Sequence, residues 1–185
     1  MRSRGPWRTV QPRESLRIWL HRMRFNFFPA FRATGARVIY ISEDMRKLRI
    51  ELPLNMRTRN IHGTVFGGAM YAAIDPLYAI LVKTALGPGH IIWDKAGAIR
   101  YKKPGRSTLY AECVLSDAQV ASIRKRLETQ PSVDLEYEIE LLDERGVVHA
   151  VVRKTIYAAR KEIYNLRQDI GQGGAPLESR NQDYQ

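Results

Sequence analysis

Cysteine is nearly absent from this 185-residue chain: Cys113 stands alone, so no intrachain disulfide can form. A reducing compartment follows as the expectation, and with it a cytoplasmic location. Metal chemistry is also poorly provided for. His21, His90 and His149 stand at no ligand spacing from cysteine, carboxylate or each other, so neither a metal nor another cofactor is expected. There is no Gly-x-Ser-x-Gly elbow, which argues against a serine hydrolase. The paired glycines at 67 and 68 are not followed by Gly-Lys-Ser/Thr, so they are not a phosphate-binding P-loop. Long apolar runs are missing too. The longest, Phe66 to Leu86, is interrupted by Asp75, Pro76 and Lys83, and reads as a buried helix and not a membrane span. Acid is scarce at the start: residues 1–37 carry nine arginines against Glu14 alone, with no continuous apolar stretch of the secretory kind.

What is present supports one domain. With 44% apolar residues the chain can bury a core, and 30 Lys and Arg against 19 Asp and Glu favour anionic partners such as coenzyme A phosphates or acidic lipid. Residues 1–13 read as a disordered basic leader, 14–161 as the domain, and 162–185 as a mostly disordered tail rich in Gly, Gln and Asn. Between Glu14 and Phe31, Leu16, Trp19, Leu20, Met23, Phe27 and Phe28 recur near helical spacing with arginines between them. This predicts an amphipathic helix ending near Pro29. Packing on its own domain is its expected fate, with weak contact to an anionic membrane surface as the alternative.

Val38–Ser42 and Leu48–Leu52 form a predicted hairpin, and the apolar helix stops at Gly87-Pro88-Gly89. Strands follow at Ile91–Lys103, Ser107–Ser116, Val133–Leu142 and Val147–Ala158, with a charged helix or loop at Asp117–Gln130. A helix placed among antiparallel strands predicts an α+β architecture, a curved sheet around one long helix.

The segment Asn60 to Pro76 holds the chemistry. Gly67 and Gly68 open the helix, and first-turn N–H groups without intrahelical partners favour negative charge, including the oxyanion of acyl transfer. Two turns on, Asp75 is the only acid between Glu51 and Asp94, and its helical neighbours are apolar. A carboxylate there requires either a partner or a purpose, and partial burial suits a general base. Asp-Pro is also a good helix start, so Asp75 as the N-cap of a second helical piece is the competing reading.

This segment resembles the central-helix motif of hot-dog-fold thioesterases, in particular the phenylacetyl-CoA thioesterase-like branch. Asn60, Gly67-Gly68 and Asp75 match it in type and spacing, while Phe66 stands where the motif has histidine. Ile92-Trp93-Asp94-Lys95-Ala96 and Tyr101-Lys102-Lys103-Pro104-Gly105 are similar to a narrower, uncharacterised branch. The resemblance implies hydrolysis of acyl-CoA thioesters by a homodimer, or a dimer of dimers, with sites at the subunit interface. It implies that Gly67 or Gly68 polarises the carbonyl, that Asp75 is base or nucleophile, and that Asn60 positions substrate or water. Phe66 removes one substrate-orienting contact, for which His62 is the candidate replacement.

Lys102, Lys103 and Arg106 around one turn, and Arg124, Lys125 and Arg126 in the charged connection, could meet coenzyme A phosphates; otherwise they are solvated. Asp94 and Lys95 break a strand's alternation, as a cleft or interface ion pair would. Cys113 alternates with Ala111 and Leu115 and reads as core. A non-catalytic acyl-CoA or fatty-acyl binder is the alternative function. Nucleic acid is not expected as a partner, because no reading module accompanies the basic arm.

Overall fold

The computed structural model describes residues 14–172, so the basic leader and the end of the tail lie outside the described residues. The elements run α1 (Leu16–Phe27), α2 (Pro29–Ala33), β1 (Arg37–Ile41), β2 (Lys47–Leu52), α3 (Gly67–Ile74), α4 (Leu77–Leu86), β3 (His90–Tyr101), β4 (Leu109–Val114), α5 (Asp117–Thr129), β5 (Ser132–Leu142), β6 (Val148–Arg160) and α6 (Lys161–Gln172). The strands make one six-stranded sheet, ordered β1-β2-β4-β5-β6-β3, whose pairs are all antiparallel. The first eleven residues of the tail expected to be disordered are therefore helical. Lys and Glu open that helix, and its Tyr164 ring lies 6.4 Å from the Tyr157 ring of β6.

Alternation builds the sheet. In β5, Val133, Leu135, Tyr137, Ile139 and Leu141 face inward, and Asp134, Glu136, Glu138 and Glu140 face out. The inward row meets α3 and α4, whose Met70, Ala73, Ile74, Leu77, Tyr78, Leu81, Val82 and Leu86 form a helical stripe against the sheet. Tyr78 stacks on Tyr137 at 3.9 Å.

Asp75 and Pro76 join α3 to α4 without leaving the right-handed helical region. Asp75 does not cap α4: its backbone is helical and not extended, and the N-cap position belongs to Pro76. The carboxylate is spent elsewhere. Gly87, at φ +87°, ends α4 and donates to the Lys83 carbonyl.

The charged connection is a helix because Ser116 and Gln119 form a reciprocal capping box, and Val120, Ile123 and Leu127 then pack inward. Ser116→Ala is expected to lower stability by about 1 kcal/mol, read as a shift in the urea midpoint at unchanged slope.

α1 packs on β1 and on α2. Ile18 is fully buried, Phe25 meets Phe31 edge to face at 4.5 Å, and the Asn26 side chain both accepts from and donates to the Val38 backbone. α1 thus packs on its own domain, as its inward residues require, and it ends at Phe27, before Pro29.

Candidate active site

β6 carries a lysine in its buried phase. Ala150, Val152, Ile156 and Ala158 point inward, and so does Lys154, whose side chain is 1% exposed. An ammonium there must find anions, and it finds two. Lys154 Nζ lies 2.5 Å from Asp75 Oδ1 and 2.8 Å from Asp94 Oδ1. Burial alone would lower the lysine's pKa, but the hydrogen bonds to both carboxylates outweigh it and hold the pKa above the ordinary lysine value.

A bulge explains the second carboxylate. Asp94 pairs with Ile156 and Ala96 with Thr155, so Lys95 is the extra residue of β3. The bulge keeps Asp94 inward and frees Lys95 to pair with Asp134 across the sheet at 2.5 Å. The two residues that broke the strand's alternation are thus each paired, but not with one another. Past the bulge, Gly97 faces Lys154 in register, and a β-carbon at Gly97 would overlap the Tyr71 hydroxyl. The Tyr71 ring centroid is 5.5 Å from Lys154 Nζ. Asp75, Asp94, Lys154 and Tyr71 therefore form one cluster beside the open edge of β3.

Asp75 is 44% exposed at its side chain, and its Oδ2 makes no hydrogen bond among the described residues. It forms part of the wall of a cavity of about 860 Å³, within the usual range for ligand pockets. Ala72, Pro76, Ile80 and Leu81 continue that wall along the central helix, and Phe25, Phe28 and Phe31 close it from α1 and α2.

The helix start lies apart from this. Gly67 and Asp75 are eight residues apart on one helix, about 12 Å along its axis. The Asp75 cavity is not lined by Gly67 or Gly68. A Gly67 β-carbon would come 2.7 Å from the Tyr101 hydroxyl, and a Gly68 β-carbon would meet the Phe66 ring at 2.5 Å, so glycine is what lets both aromatics close on the first turn. The basic turn is here too. Val65 N–H donates to the Gly105 carbonyl at 2.8 Å, and Gly105 is wedged against Val65 and Met70, which sets exposed Lys102, Lys103 and Arg106 near the α3 N-terminus.

Asn60 holds its own loop: its Oδ1 accepts from the His62 and Thr64 N–H groups, and its Nδ2 donates to Thr64 Oγ1. The loop leads into α3 and leaves His62 and Phe66 exposed. Arg124 donates to the Ala85 carbonyl and Arg126 to that of Asp134, so both are tied to the surface of the fold. Cys113 is buried core, and burial pushes its thiol pKa up, away from the thiolate a nucleophile needs.

Lys154 is the residue the sequence reading missed. Its signal was present: in the alternating row Ala150, Val152, Lys154, Ile156, Ala158 it is the one charge in the buried phase.

A family model described as a domain of unknown function, DUF4442, matches residues 18–158. The chain belongs to the DUF4442 family. No curated protein matches it in sequence. Among solved structures, this DUF4442 domain is similar to a Pseudomonas aeruginosa protein of unknown function called a probable thioesterase, at TM-score 0.68 and 18% identity, covering 77% of this chain and 95% of that one. A Haemophilus influenzae thioesterase matches at TM-score 0.58 and 14% identity, covering 80% and 93%. The PaaI protein of the Escherichia coli phenylacetic acid degradation operon matches at TM-score 0.52 and 19% identity, covering 76% and 89%. These likenesses establish the hot-dog fold, a curved antiparallel sheet around a central helix, for this member of DUF4442.

Proposed function

We propose that this DUF4442 protein hydrolyses acyl-CoA thioesters, with Asp75 as the base. The observation that carries the reading is a carboxylate with one oxygen fixed by buried Lys154 and the other unbonded among the described residues, at the wall of a largely apolar cavity of about 860 Å³. Lys154 orients the Asp75 carboxylate; the apolar walls accept an acyl chain. The unbonded oxygen takes a proton from water as that water's oxygen bonds to the thioester carbon. The resulting oxyanion is held by helix-start N–H groups, and its collapse breaks the C–S bond, the thiolate leaving as free thiol with the proton from Asp75.

Those N–H groups belong to a second copy. A general base and an oxyanion hole serving one carbonyl cannot stand about 12 Å apart, as Asp75 and Gly67 of one chain do. β3 supplies the seam: it is a sheet edge of 12 residues, largely exposed from Trp93 to Ala98, and such edges are normally covered. Pairing β3 with its copy brings the basic turn and the Gly67-Gly68 amides of one chain towards the cluster of the other. Lys102, Lys103 and Arg106 then meet the coenzyme A phosphates. The protein is expected to run as a homodimer, or a dimer of dimers, in light scattering at micromolar concentration; a monomer would remove the second half of the site.

One observation favours a second reading, acyl-CoA binding without turnover. Phe66 and Tyr101 crowd the first turn of α3, where the oxyanion would be held. Free thiol released from acyl-CoA by the purified protein supports hydrolysis; saturable binding with no thiol released leaves only the carrier.

A further inference from the structure

α1 is oriented by Ile18, Phe25 and Asn26, which all face the domain. That orientation turns a second apolar row outward. Leu16, Trp19, Leu20, Met23 and Phe27 fall within about 100° of arc on a helical projection. Leu16, Trp19, Leu20 and Phe27 are between 43% and 72% exposed, as large a group of bare apolar side chains as the described surface carries on one helix. A soluble domain does not ordinarily leave such a row uncovered.

Charge says what covers it. Arg17, His21 and Arg24 flank the row on one side, and no acid lies within α1. Arg22 is neutralised by Glu14 at 2.8 Å, and Arg17 lies 3.9 Å from Glu43, but Arg24 and Arg32 make no ion pair among the described residues. The sequence before α1 adds Arg2, Arg4, Arg8 and Arg13. A second protein surface offers no general reason for this one-sided excess, whereas anionic lipid does. Trp and Phe at the boundary and arginines beside them form the pattern of a helix lying in a membrane interface.

We propose that the outward face of α1 seats this protein on an anionic phospholipid surface. The inner face of the same helix closes the cavity, and exposed His21, Arg24 and Phe28 belong both to the cavity wall and to the flank of the row. A seated protein therefore has the cavity mouth at the lipid surface, where an acyl chain passes Phe28 on its way in. The proposal goes beyond hydrolysis and stands whether or not Asp75 turns anything over.

The test is co-sedimentation of the full chain with vesicles of phosphatidylcholine alone, or of phosphatidylcholine with about a third phosphatidylglycerol. The protein is expected to sediment with the anionic vesicles, to be released by salt, and to stay largely free with the zwitterionic ones. Trp19→Glu combined with Leu20→Glu changes two exposed side chains and is expected to leave the circular dichroism unchanged while reducing the bound fraction about tenfold or more. Trp19→Phe with Leu20 intact is expected to restore binding. Failure to bind anionic vesicles overturns the proposal, as does undiminished binding by the double variant. A smaller assembly in light scattering for the double variant, without any vesicle binding by the parent, makes the row an interface between copies and overturns it too.

Discussion

Lys154→Met is expected to destabilise the protein by about 3 kcal/mol, a loss on the order of 10 °C in midpoint temperature for a domain of this size. Methionine nearly fills the volume but removes the only cation between two carboxylates. Both Asp75 Oδ1 and Asp94 Oδ1 lie within 2.8 Å of the lysine nitrogen, so in its absence like charges face each other at under about 6 Å. The carboxylates are 44% and 32% exposed, and solvent holds the cost below that of a fully buried pair. The sign with pH follows. In the variant, protonating one carboxylate relieves the repulsion, so its deficit shrinks as pH falls. In the parent, the folded pKa of Lys154 is raised above its ordinary 10.5. Its contribution is therefore complete below that value and is lost as pH rises through the higher folded pKa. Thermal melts of both proteins across pH check this; a midpoint within about 2 °C of the parent at neutral pH would sink the idea that the bridge holds the site together.

Asp75→Asn carries the largest effect on activity. Asparagine matches aspartate in size, and its Oδ1 can still accept from Lys154, which keeps Asp94 as a full partner. The fold is expected to survive with a midpoint shift of a few degrees. The amide cannot take a proton from water, so kcat is expected to fall by about two orders of magnitude or more. KM is expected to change little, because the cavity walls and the basic turn proposed to bind substrate are untouched. Equal turnover by parent and variant would reduce Asp75 to a partner of Lys154 and nothing more.

Much of this was legible before any coordinates. The alternation of Leu135, Tyr137, Ile139 and Leu141 fixed β5 because a half-buried strand can present only one face to a core. The charged segment Asp117–Gln130 stayed open between helix and loop, although the Ser116–Gln119 capping box that makes it a helix is a local signal in the sequence. Asp75 stood out because apolar neighbours make a carboxylate conspicuous. Its partner did not, because the two are 79 residues apart and meet only through the sheet order that sets β6 under the central helix. The Asp94-Lys95 anomaly was visible, but its cause, a bulge, depends on register with a strand about 60 residues later. The cavity was not legible at all. It is lined by residues of α1, α2, α3 and α4 together, a juxtaposition that no spacing of residues within α1 encodes.

Hydrolysis of acyl-CoA at Asp75, in a DUF4442 chain with phenylalanine in the motif's histidine position, remains the proposal on which the rest depends. Steady-state release of free thiol from a panel of acyl-CoAs of increasing chain length, by parent and Asp75→Asn in parallel, tests it most directly. Turnover by the parent is expected to rise with chain length as the apolar cavity fills, and to be nearly lost in the variant. Saturable binding of the same acyl-CoAs with no thiol released at any length would contradict it.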